Sequence, residues 1–354
     1  MRHRVLTSNG IQTRHYAVDP GTGRHTHSNA TMTRDAIVDL AESRGFSLDD
    51  LELLSCGTST PDQLLPNHGV MVHAELGNGP CEVVATAGVC CCGVTALKNA
   101  WLNVAGGLVS NAVASGSELA SGLMVGKHFQ PEIDIKLEEL EATPTLAFSH
   151  DFLRFMLSDG AGAVLLEDKP RAEGLSLRID WIELVSFANE VETCMYLGGT
   201  KREDGSLQGW LGVDDPSSRV RDGYFNLSQD IKLLNGRVIQ YTVGRALQHF
   251  RKKRELDAEA IDWFLPHYSS HYFRSVVAEV LAEAELPIPE ERWFTNLYTK
   301  GNTGSASIFI MLDELMKNPE LGLKEGQTIL AYVPESGRFS SSFFHLTVVG
   351  PGGA

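Results

Sequence analysis

Short apolar runs alternate along the chain with longer stretches whose apolar residues recur at helical spacing. In the first half this pattern predicts strands at 51–56, 83–89, 108–114 and 164–166, and helices at 35–44 and after residue 92. In the second half it predicts strands at 263–265, 328–333 and 343–349, and helices at 235–250, 272–284 and 305–316. Strands that alternate with helices in this way indicate an α/β protein whose sheets are covered by helices on both faces.

The second half repeats the order of elements of the first half without detectable sequence identity. A short polar segment, Glu167-Asp168-Lys169-Pro170, lies between the two. We therefore predict two halves, residues 1–170 and residues 171–354.

Composition and charge exclude several classes of protein. The chain has 354 residues, 43% of them hydrophobic, which supports a sizeable core. No apolar stretch approaches the roughly 18–20 residues of a membrane span, and residues 1–5 lack the apolar core of a secretory signal. Six cysteines, three of them adjacent, do not form a disulfide framework and fit a reducing cytoplasm. The net charge of −15 argues against a general nucleic-acid binder, which needs a basic face.

The adjacent residues Cys90, Cys91 and Cys92 lie between a β-prone run and a helix-like stretch. A thiol at a helix N-terminus faces unpaired N–H groups and the positive end of the helix dipole, and both favour its thiolate. One of the three is therefore a candidate nucleophile. The competing interpretation is that the cluster fills the core, since cysteine is among the most buried residue types. Metal binding is disfavoured because three consecutive side chains cannot all point at one ion.

Two further polar residues lie at the ends of apolar elements. His267 directly follows a short strand that ends in Pro266, and Asn302 lies in a Gly-Asn-Thr-Gly turn before a helix. A thiol, an imidazole and an amide together have the chemistry of an activated nucleophile with hydrogen-bonding partners. Each also has an ordinary structural interpretation, a core histidine in one case and a helix cap in the other.

At these positions the chain resembles the ketoacyl-ACP synthase III family, within the thiolase-fold condensing enzymes. The segments that carry the resemblance follow the family's order and are 58–62 (Thr-Ser-Thr-Pro-Asp), 90–100, 157–165 (containing Asp-Gly-Ala-Gly-Ala), 234–237 (Leu-Asn-Gly-Arg), 265–267 (Leu-Pro-His) and 301–303 (Gly-Asn-Thr). The resemblance implies a thiolase-like fold, with two similar βαβαβαββ halves in a layered αβαβα architecture. It also implies that a cysteine, His267 and Asn302 are the catalytic residues.

The resemblance leaves two choices for the nucleophile. The family's C-x-G pattern selects Cys91, two residues before Gly93, whereas an ungapped match of the following helix selects Cys90. We favour Cys90, because a deletion inside a buried helix would rotate its whole apolar face.

The chain departs from the family in four places, one of which is the replacement of the family's H-Q-A-N by His267-Tyr268-Ser269-Ser270. The family's first strand has no counterpart before 8–15, so either the start of the gene is misplaced or the sheet is built differently. The usual Gly-Gly-Gly-Phe is replaced by Glu335-Ser336-Gly337-Arg338-Phe339, in which the Gly337 N–H is the expected partner of the Cys90 N–H in an oxyanion hole. The segment 121–150 is longer than usual and could reshape the acyl pocket or a dimer contact.

The implied activity is a condensation between two thioesters. The cysteine takes an acyl group from acyl-CoA or acyl-ACP, and malonyl-ACP then loses CO2 and attacks it. The altered motifs favour a role in a specialised fatty-acid or polyketide-type pathway. The resemblance also implies a cytoplasmic homodimer. The alternatives are acyl transfer to an oxygen or nitrogen nucleophile, and a partner subunit of a condensing heterodimer. Retention of the cysteine, histidine and asparagine argues against a non-catalytic subunit.

The expected partner is an acidic acyl carrier protein, and no metal or redox cofactor is expected. The cationic residues predicted to dock that carrier are Arg251, Lys252, Lys253, Arg254 and Arg274. The histidines at 15, 25 and 27 are spaced as a polar loop rather than as a metal site. Asp159 is expected to bond N–H groups of its turn.

Overall fold

The computed structural model describes residues 6–125, 153 and 155–352. Its first sheet has the order β2-β1-β3-β4, and these strands are β1 (Leu53–Thr58), β2 (Glu82–Ala87), β3 (Asn111–Glu118) and β4 (Gly160–Glu167). β1 pairs parallel with β2 and β3, whereas β4 is antiparallel to β3. β1 is buried along its whole length, as expected for a parallel strand with neighbours on both sides and both faces covered.

The second sheet has the order β10-β11-β12-β5. The strands of the second half are β5 (Ser176–Ser186), β6 (Met195–Tyr196), β7 (Gly199–Lys201), β8 (Leu207–Gly209), β9 (Ser228–Gln229), β10 (Trp263–Pro266), β11 (Thr328–Pro334) and β12 (Ser340–Val349). β11 is parallel to β10 and antiparallel to β12. It therefore occupies the place in the second sheet that β3 occupies in the first. The short strands pair separately, β6 with β9 and β7 with β8.

The helices have clear start and stop signals. They are α1 (Asn29–Arg44), α2 (His68–Leu76), α3 (Cys91–Ala105), α4 (Ser218–Arg221), α5 (Ile231–Ile239), α6 (Ala246–Phe250), α7 (Arg274–Glu283), α8 (Leu297–Lys300) and α9 (Ser307–Lys317). A π-helical segment, Gln240–Arg245, joins α5 to α6. At α1, Ser28 forms a capping box with Thr31, and Gly45 ends the helix with a φ of 63°.

Three apolar clusters show how the layers stack. The first lies between α1, α2 and one face of the first sheet and includes Ile37, Leu54, Val72 and Val113. The second lies between the two sheets around α3 and α9 and includes Val94, Leu97, Phe309, Leu312 and Leu346. The third joins the second sheet to α5, α6 and α7 and includes Leu234, Val238, Phe250, Val277 and Phe343. Helices and sheets thus alternate in an αβαβα arrangement, and the predicted thiolase-like fold class is confirmed.

The two sheets differ at both edges, since among the described residues no strand beside β10 corresponds to β2 and no strand beside β4 corresponds to β5. β5 pairs antiparallel with β12 from Ser176 to Ser186. No strand of the described residues takes the corresponding place beside β4. A cavity of about 470 Å³ lies there instead, lined by residues of α1, β4 and α9.

Most strongly patterned elements are confirmed with shifts of a few residues at their ends. The sequence pattern missed β5, α2 and the small sheets of residues 195–229. Within the described residues, no helix is both long enough and apolar enough to cross a membrane. The boundary near residue 170 stays a prediction, and most of the long segment 121–150 lies outside the described residues.

Candidate active site

The three cysteines lie where β2 turns into α3. Gly88 has a φ of 151°, Cys90 is the N-cap residue, and the helix begins at Cys91. Their exposed fractions are 9% for Cys90, 6% for Cys91 and 3% for Cys92, so Cys90 is the most accessible of three buried thiols. The Cys91 thiol donates to the carbonyl oxygen of Val333 in β11 at 3.1 Å. Cys91 thus has a structural partner in the second sheet.

Burial raises the pKa of the Cys90 thiol, and the nearby carboxylates of Glu118 and Glu335 raise it further. Burial raises the thiol pKa of Cys91 and Cys92 as well. The expectation that the helix N-terminus would favour a thiolate is therefore wrong for this arrangement. The helix end is outweighed because the thiol is removed from water and faces negative charge.

His267 follows the last residue of β10, and its N–H donates to the carbonyl oxygen of Tyr332 at 2.8 Å. Burial lowers the pKa of the imidazole to about 4. The side chain is therefore neutral at physiological pH, and one ring nitrogen carries a proton that it can donate.

Asn302 is held in a turn by three hydrogen bonds. Its backbone N–H donates to Met156 and its carbonyl oxygen accepts from Ser158, each at 2.8 Å. Its side-chain Oδ1 accepts from the N–H of Gly304 at 2.9 Å. Gly301, with a φ of 71°, supplies the left-handed backbone that begins the turn. Because the turn uses Oδ1, the amide Nδ2 is the group left to donate to a ligand.

Contacts of the cysteine turn connect it to the segments that carry His267 and Asn302. Cys91 bonds to Val333, while His267 bonds to the adjacent Tyr332. On the other side, a Cβ at Gly93 would overlap the backbone oxygen of Ser305, three residues after Asn302. The three predicted catalytic residues thus lie on segments that pack against one another.

Glu118, at the end of β3, belongs to the same region and was missed by the sequence reasoning. It is only 4% exposed, and it accepts hydrogen bonds from Ser59, Thr60 and Ser305. Its signal in the sequence was a carboxylate directly after the buried strand that ends in Ser115-Gly116-Ser117. Burial raises the pKa of its carboxyl group.

Gly337, the predicted second oxyanion donor, lies in the turn between β11 and β12. Its N–H donates to Oε2 of Glu335 at 2.8 Å, and the same carboxylate accepts from the N–H groups of Arg338 and Ser340. A Cβ at Gly337 would lie 3.1 Å from the Val89 side chain, next to Cys90. The turn is therefore in the expected place, but this N–H must leave Glu335 before it can bind a substrate oxygen.

The cationic residues predicted to dock a carrier do not form one surface. Arg274 follows His267 at the start of α7, pairs with Glu290 at 2.6 Å and bonds the Tyr268 hydroxyl at 3.2 Å. Arg251, Lys252, Lys253 and Arg254 follow α6, and Arg251 pairs with Glu285 just beyond the far end of α7. Ten helical residues, or about 15 Å, therefore separate the two groups. Arg274 alone lies beside the candidate site.

The remaining candidates have structural roles. Asp159 accepts from the N–H groups of Ala17 and Ser121, each at 2.8 Å, so it joins segments distant in sequence rather than bonding N–H groups of its own turn as predicted. His15 contacts the carbonyl oxygen of Thr299, and His27 lies 3.3 Å from Asp35. In the described part of the chain, no group of three histidine, cysteine or carboxylate residues is arranged to hold a metal ion.

Known proteins of one family are similar to this chain in sequence. Residues 252–337 match the family of 3-oxoacyl-[acyl-carrier-protein] synthase III C-terminal regions. The β-ketoacyl-[acyl-carrier-protein] synthase III of Methylococcus capsulatus is 22% identical over 329 residues, which cover 92% of this chain and 84% of that protein.

Solved structures share the fold at low identity. AbyA1, a tetronic acid condensing enzyme, has a TM-score of 0.72 at 20% identity, covering 96% of this chain and 88% of its own. OleA from Xanthomonas campestris, solved with lauric acid and lauroyl-CoA, has a TM-score of 0.70 at 18% identity, covering 96% and 86%. The chain thus shares the fold of these condensing enzymes, is similar over most of its length to β-ketoacyl-[acyl-carrier-protein] synthase III proteins, and matches the C-terminal region of that family at residues 252–337.

Proposed function

We propose that this protein joins two acyl thioesters by a decarboxylative Claisen condensation, with Cys90 as the nucleophile. The observation that carries the proposal is the packing of the cysteine turn against the segments of His267 and Asn302. Cys90 is preferred to Cys91 because it is the more exposed thiol and because Cys91 donates to Val333.

In the first step the sulfur of Cys90 attacks the carbonyl carbon of an acyl thioester. A new C–S bond forms, the old one breaks, and the thiol proton ends on the departing CoA or carrier thiol. The backbone N–H of Cys90 and that of Gly337 are the donors proposed for the transient oxyanion. Because Gly337 donates to Glu335 in this structure, acylation requires the turn to release that N–H.

In the second step a malonyl thioester enters and loses CO2. The electron pair of the broken C–C bond forms an enolate, whose oxygen accepts hydrogen bonds from His267 and from Nδ2 of Asn302. The enolate carbon then attacks the acyl-enzyme, and the Cys90 thiolate leaves and takes up a proton. A neutral imidazole suits this role, and burial keeps His267 neutral by lowering its pKa to about 4.

The substrates proposed are an acyl-CoA or acyl-carrier donor and a malonyl group on an acidic carrier protein. The Glu335-Ser336-Gly337 turn replaces the glycine run of the family and favours a specialised pathway over the initiation of bulk fatty-acid synthesis. We also propose that the enzyme acts in the cytoplasm as a homodimer.

The test is intact-protein mass after incubation with acyl donors from acetyl-CoA to lauroyl-CoA, followed by malonyl-carrier and measurement of CO2. A mass gain of one acyl group, followed by CO2 release and loss of that gain, supports condensation. Loading without CO2 release points to acyl transfer to oxygen or nitrogen. Absence of loading with every donor overturns the proposal for the isolated chain and directs attention to a partner subunit.

A further inference from the structure

Glu118 is the one carboxylate at the candidate site that bonds to segments from both halves of the described chain. Its Oε1 accepts from the hydroxyl of Ser59 at 2.6 Å and from the N–H of Ser305 at 3.2 Å. Its Oε2 accepts from the hydroxyl of Thr60 at 2.9 Å. The loop after β1, the end of β3 and the turn after Asn302 therefore meet at one side chain.

The fit around this carboxylate is close. A Cβ at Gly304 would lie 2.7 Å from Cγ of Glu118, so the Asn302 turn rests directly on the glutamate side chain. Ser305 continues the contact, since its hydroxyl donates to the carbonyl oxygen of Ser117 at 3.1 Å. On its other side Ser305 packs against Gly93 in the first turn of α3.

We propose that Glu118 is a positioning residue that fixes the Asn302 turn against the cysteine turn. The inference rests on the proposed function, in which Nδ2 of Asn302 donates to the malonyl thioester. That donation requires the Asn302 turn to be held in place. Glu118 does not touch the reacting atoms. Its loss should therefore affect decarboxylation far more than acyl loading of Cys90.

Two substitutions separate the hydrogen bonds of Glu118 from its charge. Glu118→Gln keeps an oxygen for the N–H of Ser305, and its amide can donate to the hydroxyl of Thr60. Glu118→Ala removes every bond of the side chain. A comparison variant for the exchange measurement is Glu335→Ala, which removes a second buried carboxylate near Cys90 whose side-chain hydrogen bonds, among the described residues, stay within its own turn.

The experiment measures acyl loading by mass and CO2 release from malonyl-carrier in the same samples. Glu118→Ala should load at nearly the wild-type rate but release CO2 roughly tenfold to a hundredfold more slowly, as expected for a displaced catalytic group. Glu118→Gln should restore release to within a few-fold of wild type. Equal effects on both steps, or no rescue by glutamine, would overturn the positioning role.

Amide hydrogen exchange supplies a readout that does not depend on activity. Peptides that cover residues 301–306 should exchange faster in Glu118→Ala than in wild type or Glu118→Gln, whereas Glu335→Ala should speed exchange at 335–340. Unchanged exchange at 301–306 in Glu118→Ala would overturn the inference. If wild type fails to load or decarboxylate, the proposed function falls, and exchange alone decides the role of Glu118. If the alanine variant does not fold, Glu118→Asp, which shortens the side chain, takes its place in both assays.

Discussion

Glu118 and Glu335 occupy equivalent places in the two halves, one at the end of β3 and the other directly after β11. Both are buried, and both raise the pKa of Cys90. Their hydrogen bonds differ. Glu118 bonds Ser59, Thr60 and the distant Ser305, whereas Glu335 bonds three N–H groups within its own turn.

The two carboxylates therefore stabilise the candidate site in different ways. In the first half the carboxylate joins segments that are far apart in sequence, so the geometry depends on how the halves pack. In the second half the carboxylate stabilises a local turn and accepts from the Gly337 N–H that the proposed mechanism assigns to the substrate oxygen. In that mechanism the first half supplies the nucleophile and one oxyanion donor, and the second half supplies the other hydrogen-bond donors.

The largest expected effect is on acyl loading, because Cys90→Ser removes the nucleophile proposed for the first half. We expect no acyl adduct on Cys90→Ser with any donor that loads wild type. Cys91→Ser should still load, because a hydroxyl can keep the donation to Val333. Intact mass on both variants checks this. An adduct on Cys90→Ser that is absent from Cys91→Ser would transfer the nucleophile to Cys91.

The next effect tests the donors of the second half. Asn302→Asp keeps the Oδ1 that accepts from Gly304 but replaces the Nδ2 donor by an oxygen. CO2 release should fall by about a hundredfold to a thousandfold, as for the loss of one oxyanion donor, while acyl loading remains. His267→Ala should behave in the same way. Parallel loss of loading would show that these residues serve the first step instead.

These residues also show which parts of the candidate site could be predicted from the sequence. Cys90, His267 and Asn302 could be proposed from the sequence because each follows or precedes an apolar element that its own pattern predicts. Glu118 was not singled out, since a carboxylate at the end of a strand is ordinary and its partners Ser59 and Ser305 lie 59 and 187 residues away. The predicted direction of the thiol pKa shift was wrong for a similar reason: the sequence shows the helix end but neither the burial of the thiol nor the two carboxylates near it.

In the fold, too, some elements could be predicted from the sequence and others could not. β1 and α9 were predictable because their apolar patterns are strong. β5 was missed although Leu177, Ile179 and Trp181 alternate with polar residues as in a half-buried strand, and its place is set by the ten-residue ladder with β12. The basic residues at 251–254 and Arg274 were both candidates for docking a carrier, and the sequence could not show that α7 separates them.

A smaller effect is expected on the pH dependence of stability, to which two buried histidines contribute, one in each half. Burial lowers the pKa of both His68 and His267 to about 4 from about 6.5. Between these values the unfolded chain binds protons that the folded chain does not, so stability falls as the pH drops below 6.5. Each histidine should remove about 2 kcal/mol of unfolding free energy between pH 7 and about pH 5.

Urea unfolding at the two pH values tests this comparison. His68→Gln and His267→Gln should each weaken the pH dependence by a similar amount, although only His267→Gln should lower CO2 release. A variant that leaves the pH dependence at the wild-type value would show that its histidine is not held neutral in the folded protein.

The smallest expected effect returns to the two carboxylates and to the thiol that they both face. The titratable groups that act on Cys90 among the described residues are Glu118, Glu335 and its cysteine neighbours. Removing one negative charge lowers the pKa of the thiol, so alkylation by iodoacetamide should begin to accelerate at a lower pH in Glu118→Gln and in Glu335→Gln. Alkylation rates against pH, with Cys90→Ser as the background, give the two shifts. Because burial is the leading cause of the raised pKa and remains in both variants, neither profile should reach that of a free thiol. A profile that moves in one variant only would assign the electrostatic influence to a single half, and the equivalence of the two carboxylates would then be limited to their position in the fold.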